Sequence, residues 1–226
     1  ALAVLLLVVG VVCFLPVGVS TAGKLSDRVY YSGNTDSKYV SVMINVYWGT
    51  EYIPAMLDVL DEYNAKATFF VGGSWADDHT ETLREIVRRG HELGNHGYFH
   101  KDQDKLNYEK NAEEIRLCGE LVEQLTDVKM SLFAPPSGAY SENTVDAAEE
   151  LGYKVILWSK DTIDWRDRDQ SIIYRRATEG VAGGDLVLMH PTAETASALP
   201  SILAYYREQE MEVVPVSENI SGVEKA

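Results

Sequence analysis

Apolar and polar positions change period repeatedly along this chain. Short runs rich in β-branched and aromatic residues read as strands: Tyr39–Val46, Lys66–Val71, His91–Asn95, Met130–Phe133, Lys154–Trp158, Asp185–Met189 and Glu212–Val214. Between them the apolar residues recur at helical spacing. "YIPAMLDVLDEYN" places Ile53, Met56, Leu57 and Leu60 on one face, and "LNYEKNAEEIRLCGELVEQL" carries a stripe of Ile115, Cys118, Leu121, Val122 and Leu125. "TETLREIVRRG" closes on arginines and a glycine, and "SENTVDAAEELG" opens on a serine cap and closes on Gly152. Seven strands separated by helices imply an α/β fold with a parallel sheet, either open and doubly wound or closed as a barrel. Periodicity does not choose between the two. In both, reactive side chains belong at the C-terminal ends of the strands.

The segment "ALAVLLLVVGVVCFLPVGVSTAG" breaks this pattern, with no charged residue before Lys24. Its length and apolarity suit a cleaved signal peptide or a retained membrane anchor over residues 1–22, and either implies an exported, extracytoplasmic chain, secreted or membrane-anchored. Residues 23–37 read as a polar linker, strands and helices alternate from Lys38 onward with no second domain needed, and residues 217–226 read as a C-terminal tail. Cys13 and Cys118 sit in unlike contexts, so no stabilising disulfide is expected. A net charge of −15 over 226 residues argues against nucleic acid or an anionic membrane surface as a partner. Without a glycine-rich phosphate loop, a nucleotide enzyme is also disfavoured. A monomer is expected, touching a membrane only through residues 1–22.

Three strand ends carry candidate chemistry. "GHELGNHGYFHKD" sets His96 and His100 four residues apart, on one face if the chain turns helical after Asn95, a spacing that suits zinc or a similar divalent ion. His91 reads as a core histidine and His79 as a surface one. "WSKDTIDW" ends a strand on Asp161, Asp164 and Trp165, and "GGDLVLMHPT" delivers His190 just before a proline. An aspartate beside a histidine orients the ring and favours its charged form. The first strand end is different: "SVMINVYWGTEYIP" turns at Gly49 with no acid, histidine or cysteine between Asp36 and Glu51.

In order, "AKATFFVGG", "GHELGNH" with His100, "LGYKVILWS", "DTIDW" and "LVLMH" resemble the NodB-homology polysaccharide deacetylases of carbohydrate esterase family 4, over about residues 38–216. The first motif resembles that of a divergent, sporulation-associated branch. The resemblance implies a distorted (β/α)7 barrel of parallel strands and an N-acetylated cell-wall glycan, peptidoglycan or chitin-like, as substrate. It also implies a zinc-like divalent metal that polarises the acetamide. By that pattern His96 and His100 are metal ligands (with Gly97 where Ser or Thr is usual), Asp164 tunes His190 as the acid, and Trp165 and Leu188 form the acetyl pocket. The two aspartates that should serve as base and metal ligand fall on Tyr47 and Trp48, and the arginine that braces the base falls on Ala134. These losses are coupled, because a buried arginine without its carboxylate would be an uncompensated charge.

Two expectations follow. One is a deacetylase whose missing carboxylate comes from Glu51 or Asp102, with Asn45 also near the metal. The other is an inactive glycan-binding or scaffolding protein in which Tyr47 and Trp48 form an aromatic platform.

Overall fold

A computed structural model describes residues 24–225. Among the described residues nine strands run β1 Val29–Tyr30, β2 Tyr39–Val46, β3 Thr68–Val71, β4 Glu92–Asn95, β5 Leu132–Phe133, β6 Lys154–Ile156, β7 Lys160–Asp161, β8 Leu186–Met189 and β9 Glu212–Val213. They form one curled sheet in the order β1-β6-β5-β4-β3-β2-β8-β7, with β9 added against β2. Every strand pairing is parallel. Ser159 N donates to Leu186 O, and an antiparallel bridge joins Ser32 to Asp185, so the two ends of the sheet are tied together. The architecture is the distorted barrel of parallel strands that the resemblance implies.

Alternation along β2 sorts the molecule into layers. Val40, Val42, Ile44 and Val46 face outward and pack, fully buried, with the helices. Met43 faces the barrel interior, where it meets Phe70, Leu132, Ile156 and Leu186. Burying side chains of this size contributes roughly 1.5–3 kcal/mol each. Ser41 and Asn45 share that inward face, so the strand runs from a polar residue at the closed end to a polar residue at the open end. At the closed end Asn219 Nδ2 donates to Ser41 Oγ, and Val216 and Ile220 complete the interior cluster.

The expected helices form at Ile53–Glu62, Thr80–Arg88, Tyr108–Thr126 and Glu142–Glu150. Three longer or shorter ones, Gly73–Asp78, Gln170–Thr178 and Ala193–Glu208, were not signalled by a strong apolar stripe. Two sequence expectations need correction. The linker contributes β1, with Val29 and Tyr30 buried against β6, and the helix Val216–Asn219, which closes the barrel floor, runs across the boundary between the domain and the tail. Elements of two to four residues are too short to show a period, so polar neighbours concealed both. Among the described residues no helix is long and apolar enough to cross a membrane. Residues 1–22, and Cys13 with them, lie outside the described part.

Candidate active site

The open end of the barrel holds a cleft of about 350 Å³, a volume in the range of small-ligand sites. Its floor and walls come from the three strand ends singled out above and from the acid-free turn. Asn45, Tyr47 and Trp48 enter from β2, His96 and His100 from the loop after β4, and Leu188 and His190 from β8. Trp158, Asp161 and Trp165 close the side formed by β6 and β7.

The turn after β2 depends on Gly49. Its φ is +76°, and a Cβ there would lie 2.0 Å from the Pro191 carbonyl oxygen. Only glycine permits both the left-handed backbone and that approach. Gly72 has a related role, since a Cβ would come within 2.4 Å of the Tyr47 ring. Tyr47 therefore lies in a space cleared for it, and its hydroxyl accepts a hydrogen bond from Ser74 Oγ at 2.9 Å.

The His96–His100 pair is assembled by a loop, which corrects the expected helix. Gly97 and His100 both adopt positive φ, +74° and +54°, so the chain folds back instead of winding forward. The imidazole centroids end 5.0 Å apart in an edge-to-face arrangement. Buried Glu114 holds this loop by accepting hydrogen bonds from the backbone N–H groups of Tyr98 and Phe99, and Lys101 pairs with it at 3.0 Å. Sequence reasoning missed Glu114. The signal was an acid on the buried face of a helix otherwise lined by Asn111, Ile115 and Cys118.

His96 is almost fully enclosed, and its Nδ1–H donates to the Ala134 carbonyl at 2.7 Å, which turns Nε2 toward the cleft. Burial pushes its pKa down to about 3 and also lowers that of His100, so both rings are neutral. Ala134 is itself fully buried in the interior cluster. An arginine there would need a carboxylate that Tyr47 does not supply.

Across the cleft, Asp164 is completely buried and accepts three hydrogen bonds, from His190 Nδ1 at 2.8 Å, from His190 backbone N at 2.6 Å and from Thr195 Oγ1 at 2.6 Å. His190 thus presents Nε2 to the cleft. The indole of Trp48 lies parallel to the His190 ring, 4° apart in plane and 5.8 Å between centroids. Trp165, half exposed, and Leu188, buried, both line the cleft.

Deacetylases of this kind are generally metal-dependent. The donors present here do not fit a metal. Among the described residues no three His, Cys, Asp or Glu side chains converge, whereas catalytic zinc takes three protein ligands. Glu51 is exposed beyond the turn, outside this cleft, and Asp102 pairs with Lys105 at the surface. Neither makes a hydrogen bond or ion pair with an imidazole, although Asp102 lies near enough to His100 to oppose the fall in its pKa. Tyr47 instead faces His100, ring centroids 4.8 Å apart. Asn45 Oδ1 is buried without a hydrogen-bond partner, and an amide oxygen adds no charge to compensate a cation.

Comparison with known proteins places the chain by similarity. The family model described as polysaccharide deacetylase matches residues 32–156. YlxY of Bacillus subtilis (strain 168) is 36% identical over 195 residues, covering 86% of this chain and 61% of that protein, so the chain spans about three fifths of its length. The peptidoglycan-N-acetylmuramic acid deacetylase PdaA of the same organism is 27% identical over 185 residues, 80% of this chain and 70% of the enzyme. Among solved structures, a CE4 family pseudoenzyme from Bacillus anthracis superposes with a TM-score of 0.82 at 33% identity, covering 84% of this chain and 68% of that one. The chain belongs to the polysaccharide deacetylase family.

Proposed function

We propose that this chain binds N-acetylated cell-wall glycan, peptidoglycan or chitin-like, in the barrel cleft without the metal-assisted hydrolysis typical of its family. The observation that carries this reading is the pairing of Tyr47 with His100 where a base and a metal ligand would have to converge. A sugar's acetamide methyl suits Leu188 and Trp165, and aromatic faces such as Trp158 pack well on pyranose rings. His190 Nε2, held by buried Asp164, is then a hydrogen-bonding partner for the acetamide. The kinship with a structurally similar pseudoenzyme supports the reading, and the extracytoplasmic location of cell-wall glycan agrees with an exported chain.

A rebuilt hydrolytic site is the second reading, favoured by the intact Asp164–His190 pair. It requires a carboxylate on the imidazoles, and against it Glu51 lies in a neighbouring groove and Asp102 is paired with Lys105. The binding proposal is tested by titrating the protein with N-acetylglucosamine oligosaccharides and with the same sugars after chemical deacetylation. Saturable binding that needs the acetyl groups and is lost in Trp165→Ala supports it. Absence of binding to any N-acetylated glycan defeats it.

A further inference from the structure

Among the described residues four asparagines are buried, Asn45, Asn95, Asn111 and Asn219. Three of them give Nδ2 to the protein. Asn95 donates to the Ile115 carbonyl, Asn111 to the Gln103, Leu106 and Asn107 carbonyls, and Asn219 to Ser41 Oγ. Asn45 is the exception: its amide meets no partner among the described residues, although only 4% of the residue is exposed.

The fold explains why. On one side the register pairs Asn45 with Phe70 of β3, and two residues earlier on β2 stands Met43, both members of the apolar interior. On the other side β2 pairs Met43 with Leu188 and Ile44 with Met189, so the same register continued sets Asn45 beside His190. Asn45 Oδ1 is enclosed while the residue lines the cleft, so Nδ2 is the end of the amide that the cleft reaches. A buried amide left unmatched costs free energy, which an occupant with an acceptor offsets. The imidazoles nearby offer the opposite polarity. With Nδ1–H given to Asp164, the neutral His190 ring presents Nε2 as an acceptor, and His96 does the same with its Nδ1–H on Ala134 O.

An acetamide carries one acceptor, C=O, and one donor, N–H. We propose that Asn45 is a specificity residue of the cleft, its Nδ2–H donating to the acetamide carbonyl of the bound sugar while His190 Nε2 accepts from the acetamide N–H. The methyl group then lies toward Leu188, the apolar neighbour of both. A neutral amide recognises that carbonyl without polarising it as a cation would. Because both ends of the acetamide are read, an O-acetyl ester loses the contact to His190 and a free amine loses the contact to Asn45. The inference rests on the glycan-binding reading above.

Calorimetric titration of the full chain, in EDTA, tests it with chitotetraose and with the same tetrasaccharide bearing N-thioacetyl groups. Sulfur is a weak acceptor, while the N–H and the methyl group remain. The unaltered protein is expected to bind the oxygen form at least about tenfold more tightly, equivalent to ~1.4 kcal/mol. Asn45→Leu removes that preference by weakening the oxygen form alone, and Asn45→Ala, which adds no bulk, does the same. A loss of structure lowers affinity for both sugars together, so their ratio separates recognition from folding. No preference in the unaltered protein, or a preference that survives in both variants, overturns the assignment while the cleft reading stands. Failure of the unaltered protein to bind chitotetraose removes both.

Discussion

Tyr47 packs its ring against His100, centroids 4.8 Å apart and planes inclined by 35°. With His96 Nε2 facing the same cleft, two neutral imidazoles stand beside the phenol of Tyr47, where the family pattern has the base, and the place of the ligand aspartate is taken by Trp48. The site has kept its architecture and exchanged its charge.

Restoring the acids therefore restores a metal site. Tyr47→Asp combined with Trp48→Asp is expected to bind zinc at least about tenfold more tightly than the unaltered chain, a difference of ~1.4 kcal/mol. Isothermal titration with zinc measures it, and His96→Ala in the same background removes the gain. Equal zinc affinity before and after the exchange would mean that the imidazole pair already has a third ligand.

The Asp164 carboxylate is a structural keystone for the acid side of the cleft. Asp164→Ala leaves the His190 and Thr195 donors without their acceptor in a fully buried place. The expected loss is ~2–5 kcal/mol of unfolding free energy, read from urea denaturation. A loss below about 1 kcal/mol would show that the network reforms around water, the usual substitute for a missing buried partner.

Gly49→Ala tests the turn. The left-handed backbone and the overlap with Pro191 O together predict a destabilisation of ~3 kcal/mol or more, against ~1–2 kcal/mol, the backbone cost alone, for an alanine at exposed Gly180 used as a positional control. Since Gly180 also has positive φ, +63°, but open space around it, any excess at Gly49 isolates the steric part.

Acid destabilises this fold in part through His91. Its ring is buried, its Nδ1 accepts from Ala67 N at 3.2 Å, and burial lowers its pKa to about 4 from the ordinary 6.5. The unfolded chain thus takes up the proton first. The stability associated with the neutral ring is complete above pH ~6.5 and declines as pH falls toward ~4, by about 3 kcal/mol in total. His91→Gln is expected to flatten that part of the stability–pH curve. An unchanged slope in this window would assign the acid response to other groups.

Much of this site was legible in sequence because its signals are local. An apolar run that ends on Gly49 or on His190 announces a strand end, and both lie at the open mouth of the barrel. The acid-free turn was legible for the same reason. What eluded the sequence depends on backbone paths between distant residues. The spacing of His96 and His100 fits a helix, yet positive φ at Gly97 and His100 brings the rings together by a reversal instead. Glu114 meets that loop from 15 residues along the chain, and Thr195 reaches Asp164 from 31 away. Glu51 lies only three residues beyond Trp48, but the Gly49 turn directs it away from the imidazoles and into the neighbouring groove.

The most direct measurement is acetate release from N-acetylated peptidoglycan or chitotetraose, with the protein in stoichiometric excess over any trace enzyme and with zinc or cobalt supplied. The account predicts no release above the protein-free control while the glycan remains bound. Sustained release that disappears in His96→Ala would contradict it and establish a working metal-dependent deacetylase in this cleft.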